Sequence, residues 1–293
     1  MTRAGIVAVV GKPNAGKSTL LNRIIGQKLS ITSPKPQSTR DRILGIHTTD
    51  DAQLILADTP GLLVPQYALQ RAMRAAALSA LAEADAIAYM VEATELDPPT
   101  LEEAAELEVP PHAPVITVCN KIDALNPRAL KRRMAARPAD VFISARTGEG
   151  IPELIERLSA LLPESPFLYP ADEIGAQSMR FFASELVRET ALEQLRDEVP
   201  YSVACEIEEF REEREPVYIR AVIYVERDSQ KGILIGDKGA RVRDIGRAAR
   251  IKIERLVGAP VYLDLWVKVL PNWRRNETSL RRFGYTLPED HTS

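Results

Sequence analysis

The sequence predicts an α/β domain with a doubly wound, mostly parallel sheet, followed by a smaller α+β domain of element order αββααβ. Three observations carry this. Over the first 162 residues, short β-rich apolar runs alternate with helical stretches. The first run passes directly into a glycine-rich loop that opens a helix. Beyond residue 176 the apolar pattern changes to period two, and two helices flank a second glycine-rich loop.

Residues 6–10, 54–57, 86–91, 115–119 and 141–143 are apolar without alternation, as parallel strands buried on both faces must be. Residues 18–25, 68–82, 101–107, 128–136 and 151–162 read as the intervening helices, and strand–helix repetition implies a doubly wound sheet. Pro163, Pro166 and Pro170 punctuate a polar stretch. The domains are therefore expected at 1–165 and 177–293, with a linker over 166–176.

In the second domain, 176–197 reads as one helix ended by Pro200. Strands follow at 203–207 and 217–226, then helices at 231–235 and 240–256. Val242, Ile245, Ala249, Ile253 and Leu256 form one apolar stripe on the longer helix, which Gly258 and Pro260 terminate. Residues 261–269 alternate as a last strand.

The chain of 293 residues has 38 Lys and Arg against 41 Asp and Glu, a formal charge of −3. Bulk charge thus gives no sign of a nucleic-acid partner, which a local patch would have to meet. Cys119 and Cys205 lack metal-ligand spacing and are expected as reduced core thiols. The longest apolar stretch, 75–91, is broken by Glu83 and Asp85, so no transmembrane segment is expected. The apolar run 4–10 leads straight into Gly11 and Lys17, which favours a buried strand over a signal peptide and a cytoplasmic protein over an exported one.

Gly11-Lys12-Pro13-Asn14-Ala15-Gly16-Lys17-Ser18 has the P-loop spacing between a strand and a helix. Its backbone N–H groups, with Thr19 in the first helical turn, can cradle phosphates at a helix N-terminus. Lys17 supplies a cation between the β- and γ-phosphates, and the Ser18 hydroxyl is a Mg²⁺ ligand. Asn120-Lys121-Ile122-Asp123 follows an apolar strand, at the carboxyl end of the sheet where ligands bind. The Asp123 carboxylate can accept guanine N1–H and its 2-amino group; adenine has no such pair of donors, which selects GTP and GDP over adenine nucleotides. Asn120 can bridge to the P-loop, the Lys121 stem can cover the base, and Ser144-Ala145 after the next strand can place a backbone N–H on guanine O6. In Asp58-Thr59-Pro60-Gly61, Asp58 can hold Mg²⁺ through water and the Gly61 N–H can meet the γ-phosphate, an order–disorder switch. Thr39, in the Pro-, Ser- and Thr-rich segment 30–41, is chosen as the second protein ligand of Mg²⁺, with Ser38 and Thr32 left open. Lys17, Thr39 and Gly61 are the expected catalytic residues.

Gly236-Asp237-Lys238-Gly239 between two helices in an αββααβ order is the GXXG loop of a type II KH domain, which clamps about four nucleotides of single-stranded nucleic acid. Residues 231–256 carry eight cations, Arg241, Arg243 and Arg247 among them, against three carboxylates. RNA is therefore preferred over a merely solvated basic helix face. Arg274, Arg275, Arg281 and Arg282 can add phosphate contacts. Trp266 and Trp273 are expected as packing residues, with base stacking open for Trp273.

These motifs in this order resemble the translation-factor class of P-loop GTPases. Gly11–Ser18, then Ser-Thr-Arg-Asp-Arg-Ile-Leu-Gly-Ile at 38–46, then Asp-Thr-Pro-Gly-Leu at 58–62 narrow the resemblance to the Era-like family, and residues 265–269 and 280–285 extend it over essentially the whole chain. Ser38, where the family often has threonine, and the unmatched segment 95–114 depart from it. The resemblance implies a P-loop GTPase domain followed by a KH domain. It also implies a ribosome-assembly role, with small-subunit ribosomal RNA near its 3′ end and the small ribosomal subunit as partners. A monomer is expected, and peripheral membrane contact is not derivable.

The residue after Gly61 is Leu62, which cannot orient an attacking water as the glutamine of Ras-like proteins does. Hydrolysis must then rest on positioning and charge neutralisation by Lys17, Mg²⁺ and another cation. The resemblance to related GTPases suggests K⁺ with Asn14 as ligand; a P-loop hydrogen bond is the alternative role for Asn14. Three other readings remain: an RNA chaperone with GTP as a static ligand, a P-loop ATPase or small-molecule kinase, and a tRNA-modifying GTPase. Asn120 and Asp123 argue against the second, and the KH pattern without an added catalytic domain against the third.

Overall fold

The computed structural model describes residues 1–137 and 140–288. The last five residues of the expected second domain lie outside them. The chain forms two units, one of Met1–Gln66 and Gln70–Ala176, the other of Tyr67–Leu69 and the residues from Gln177 onward.

The first unit is built on a six-stranded sheet of order β2-β3-β1-β4-β5-β6. Its strands are β1 (Arg3–Gly11), β2 (Ile43–Thr48), β3 (Ala52–Asp58), β4 (Ala86–Glu92), β5 (Val115–Asn120) and β6 (Val141–Phe142). All pairings are parallel except β2–β3. The helices are α1 (Lys17–Ile25), α2 (Ala68–Glu83), α3 (Leu101–Ala105), α4 (Pro127–Ala136) and α5 (Ile151–Leu161). Val7, Ala8, Val9 and Val10 are all fully buried, so both faces of β1 are covered, which is why its sequence does not alternate.

Strand β2 falls in a stretch that the sequence pattern did not resolve. Ile43 and Ile46 are buried while Gly45 interrupts the run, and a side chain at Gly45 would lie 2.7 Å from the Leu21 Cδ1 on α1. Residues 166–176, expected as a linker, lie against the first unit. Gln53 accepts from the backbone N–H groups of Leu168 and Tyr169 at 2.8 and 2.9 Å, and the Ile46 N–H donates to the Ile174 carbonyl at 3.0 Å. These backbone groups find their partners on β2 and β3.

The second unit runs α6 (Met179–Gln194), β7 (Ala204–Arg211), β8 (Val217–Val225), α7 (Asp228–Ile235), α8 (Ala240–Val257), β9 (Val261–Val269) and a short α9 (Glu277–Arg282). β8 is central, antiparallel to β7 and parallel to β9. Ile219, Ala221, Ile223 and Val225 of β8 pack with Ala183, Val187 and Ala191 of α6 and Ile245, Ala249 and Ile253 of α8 in one core. Trp273 is fully buried, its indole N–H donating to the Ser202 carbonyl at 2.8 Å, so it cannot stack on a base. Trp266, expected to pack, is 54% exposed. Cys119 and Cys205 are free thiols, each pushed up by burial, Cys119 to about 12.

Candidate nucleotide and RNA sites

The loops after β1, β3 and β5 border one cleft of about 340 Å³, lined by Pro13, Gly16, Lys17, Ser18, Thr39, Gly61 and Lys121 among others. Loop 11–16 turns at the end of β1 so that α1 begins at Lys17, aiming the N-terminal N–H groups of a nine-residue helix into the cleft. Thr19 lines it from the first turn. The Lys17 ammonium, 6% exposed, donates to the carbonyls of Gly11 and Lys12 at 3.0 Å each. Burial lowers its pKa to about 8, against the raising effect of Asp58. Asp58 is fully buried at the end of β3, and desolvation raises its pKa despite Lys17 nearby.

Ser18, Thr39 and Asp58 meet at one point. The Ser18 hydroxyl donates to Asp58 Oδ2 at 2.7 Å and lies 2.8 Å from the Thr39 hydroxyl, which reaches the same carboxylate oxygen at 3.5 Å. Among the described residues, Asp58 Oδ1 is buried without a hydrogen-bond partner. An orphaned carboxylate oxygen beside two hydroxyls is an all-oxygen donor set suited to a hard divalent cation such as Mg²⁺. Gly61 sits where a Cβ would lie 2.6 Å from the Pro13 backbone nitrogen, so only glycine lets the loop after β3 approach the P-loop. Asn14, at φ 64°, donates through its side-chain amide to the Pro34 carbonyl at 3.2 Å, which leaves its side-chain oxygen out of that bond.

The residues expected to read the base form a connected set. Asn120 donates to the Ala15 carbonyl at 2.8 Å and accepts from the Ala145 N–H at 2.9 Å, tying the P-loop to the loop after β6. Asp123 accepts from the Ser144 hydroxyl at 2.6 Å, the main reason its pKa is held down, and pairs with Arg146 at 2.6 Å. Lys121 pairs with Glu92 at the end of β4. Sequence reasoning missed Arg146, the next residue after Ser144-Ala145, and Arg23. The Arg23 guanidinium on α1 donates to the carbonyls of Ala145 and Arg146. Only its i, i+4 neighbourhood in α1 was legible in the sequence; its partner lies 122 positions away.

In the second unit, Gly236, Asp237, Lys238 and Gly239 form the tight link between α7 and α8, with Gly236 at φ 71° and Gly239 at φ 77°. Arg241, Arg243 and Arg247 are exposed along α8 and carry no acidic partner among the described residues. The Arg241 guanidinium donates to the Ile233 carbonyl and that of Arg243 to the Lys238 carbonyl, bracing the loop. A groove of about 280 Å³ runs between α8 and β9, lined by Arg243, Gly246, Arg247, Arg250, Leu263 and Leu265. Two of the eight cations counted in the sequence are internally paired: Arg250 with Glu254 and Lys252 with Glu189 and Glu193. Arg274 does not join this surface patch, because Glu226 holds its guanidinium at 2.5 and 3.1 Å; Arg275 remains exposed.

A 50S ribosome-binding GTPase family model matches residues 6–121, and a KH-domain model matches 198–274. GTPase Era of Geobacter metallireducens is 43% identical over 292 residues, covering 97% of this chain and 98% of the relative. The chain belongs to the GTPase Era family. GTPase Era of Coxiella burnetii is 41% identical over 294 residues with the same coverage of both. Among solved structures, Aquifex aeolicus Era, as a tyrosine-to-alanine variant bound to GDP·AlF4−, shares 42% identity at a TM-score of 0.91 over 98% of this chain and all of that one. An Era complex with MgGDPNP and nucleotides 1506–1542 of 16S ribosomal RNA shares 42% identity at 0.90 over the same fractions. The Era-family fold is thus a P-loop GTPase domain with a mostly parallel sheet, then a C-terminal KH domain. No helix among the described residues is long and apolar enough to cross a membrane.

Proposed function

We propose that this chain is a GTP-hydrolysing switch whose KH domain binds single-stranded RNA near the 3′ end of small-subunit ribosomal RNA, and that it assists assembly of the small ribosomal subunit as a cytoplasmic monomer. The observation that carries the reading is Asn120, which joins the phosphate loop at Ala15 to the base-side loop at Ala145. A nucleotide spanning both loops would meet the Asp123 carboxylate with its base and Lys17 with its phosphates. The relatives support it: one Era structure holds GDP·AlF4−, another MgGDPNP and a 16S ribosomal RNA segment.

Ser18 and Thr39 would ligate Mg²⁺ directly and Asp58 through water. Bound there, Mg²⁺ neutralises charge on the β- and γ-phosphates. The chain's own groups do the rest. Lys17 adds a fixed cation, and the backbone N–H groups of the P-loop and Gly61 hold the phosphates in line. The cleft positions the attacking water without a side-chain base, because Leu62 is buried at 4% exposure and belongs to the apolar core. Asn14 Oδ1 would hold K⁺ beside the phosphates. If hydrolysis is equally fast in Na⁺ and K⁺, that assignment to Asn14 is wrong. Gly236–Gly239 would admit the RNA backbone to the N-terminus of α8, with Lys238, Arg241, Arg243, Arg247 and Arg275 as phosphate partners.

The reading is tested by multiple-turnover phosphate release from GTP, together with crosslinking in cells and sequencing of the bound RNA. Steady release that Lys17→Ala abolishes, with crosslinks at the small-subunit ribosomal RNA 3′ end, is the expected result. GTP retained without turnover would leave an RNA-binding protein with a static nucleotide.

A further inference from the structure

The long helices α6 and α8 cover one face of the second unit's sheet. The opposite face is partly closed by the chain's end: Tyr224, 3% exposed, lies under Phe283 at a ring separation of 5.3 Å, and Val222 is fully buried. Toward β9 that face is more open: Arg211 and Arg220 lie over the Tyr218 ring at 5.3 and 5.8 Å, and the outermost rings, Tyr262 and Trp266, are left uncovered. Tyr262 and Trp266, both on the edge strand β9, are 59% and 54% exposed. Tyr262 stacks on Tyr218 at 5.9 Å with an interplanar angle of 12°. The far face of the Tyr262 ring therefore looks out past the sheet edge. The Trp266 indole N–H donates to Asp264 Oδ1 at 2.8 Å, which fixes the ring's direction.

Alternation along β9 places these rings back to back with the RNA groove: Leu263 and Leu265 line it, while Tyr262 and Trp266 face the other way. We propose that the RNA strand held in the α8–β9 groove continues round the β9 edge and stacks two of its flanking bases on Tyr262 and Trp266. Four residues of strand separate the rings by about 13 Å, room for a base on each. This rests on the RNA-binding reading above.

Charge on the same face decides how such a site would work. Glu206, Glu208, Glu209 and Asp264 are each paired, with Arg282, Lys268, Arg211 and Arg220, and Arg220 respectively. Among these described residues four cations balance four carboxylates, leaving no surplus of positive charge to attract phosphate. The contribution must come from base–aromatic stacking, which tolerates any base and is worth about five- to a hundred-fold in affinity per base.

The test uses the full chain and synthetic RNAs drawn from nucleotides 1506–1542 of 16S ribosomal RNA. One set is trimmed to about four nucleotides, enough for a GXXG groove, and the other is extended stepwise at either end. Tyr262→Ala and Trp266→Ala should bind the short RNA as the wild type does and lose about five- to a hundred-fold on the long ones. Trp266→Phe should keep most of the gain and Trp266→Leu should not. The slope of affinity against salt should not change, since no phosphate contact is removed. Buried Trp273 fluorescence reports that each variant is folded. Unchanged affinity for long RNA, or equal loss on short and long, overturns the proposal. So does a concentration-dependent dimer that Trp266→Ala dissociates, which would give the face to a second copy. A wild-type chain that binds neither RNA defeats the underlying RNA reading instead.

Discussion

Asp123 Oδ2 lies 2.6 Å from a guanidinium nitrogen of Arg146, while Oδ1 of the same carboxylate accepts the Ser144 hydroxyl at 2.6 Å. The guanidinium offers the carboxylate parallel N–H donors, the pattern that the guanine edge presents. If Asp123 reads the base as proposed, Arg146 stands where the base would bind and would have to swing away to admit it. Its side chain is 76% exposed, so the pair is screened and weak. Arg146→Ala should tighten GDP binding by about two- to five-fold, an effect that shrinks as salt rises. Titration with a fluorescent GDP analogue measures it. Weaker binding would mean that Arg146 covers the base rather than competing with it.

Lys17 sets a pH dependence. Burial holds its pKa near 8 in the nucleotide-free protein, below the ordinary value of 10.5. Above pH 8 the amine is largely neutral, whereas phosphates require the ammonium. Nucleotide binding should then take up a proton, and affinity should fall up to about tenfold per pH unit. Between about 8 and 10.5 the unfolded chain binds more protons than the free folded one, so the Lys17 contribution makes the nucleotide-free protein more stable as pH rises. Calorimetric titration of GDP in buffers of different ionisation enthalpy reads the proton uptake. No buffer dependence above pH 8 would contradict it.

Leu62 is a packing residue. It shares a core with Ala8, Val10, Leu81 and Tyr89, and its N–H donates to the Gly11 carbonyl at 3.0 Å. Leu62→Ala should cost about 2–4 kcal/mol of stability by denaturant unfolding. Leu62→Gln would bury an amide there and should destabilise without speeding single-turnover hydrolysis. Faster hydrolysis in Leu62→Gln would show that the position faces the attacking water.

What was legible in the sequence follows from how local each signal is. The buried parallel strands were visible because burial on both faces leaves an unbroken apolar run; β9 was found at its observed limits because a half-covered strand alternates. β2 was not, since Gly45 breaks its pattern and its antiparallel pairing with β3 leaves no mark in its own residues. α9 is only six residues with Leu280 alone buried, too short for a helical stripe. Candidate site residues in contiguous motifs are legible from their spacing. Arg146, adjacent to such a motif, belongs to the site only through its contact with Asp123. Arg274 looked like a phosphate ligand because its partner Glu226 is 48 positions away. Trp266 looked like core because tryptophan usually is; one-sided coverage of the sheet is a property of the fold.

Base selection at Asp123 tests the account most directly. The affinities of GDP, ADP and xanthosine diphosphate should be measured, with Mg²⁺ present, for the wild type and for Asp123→Asn. The wild type should retain GDP and exclude ADP. The amide, which can donate to the 2-oxo group of xanthine, should weaken GDP by about ten- to a hundred-fold and strengthen xanthosine diphosphate. A wild type that holds ADP as well as GDP, or an Asp123→Asn variant with unaltered preference, would contradict it.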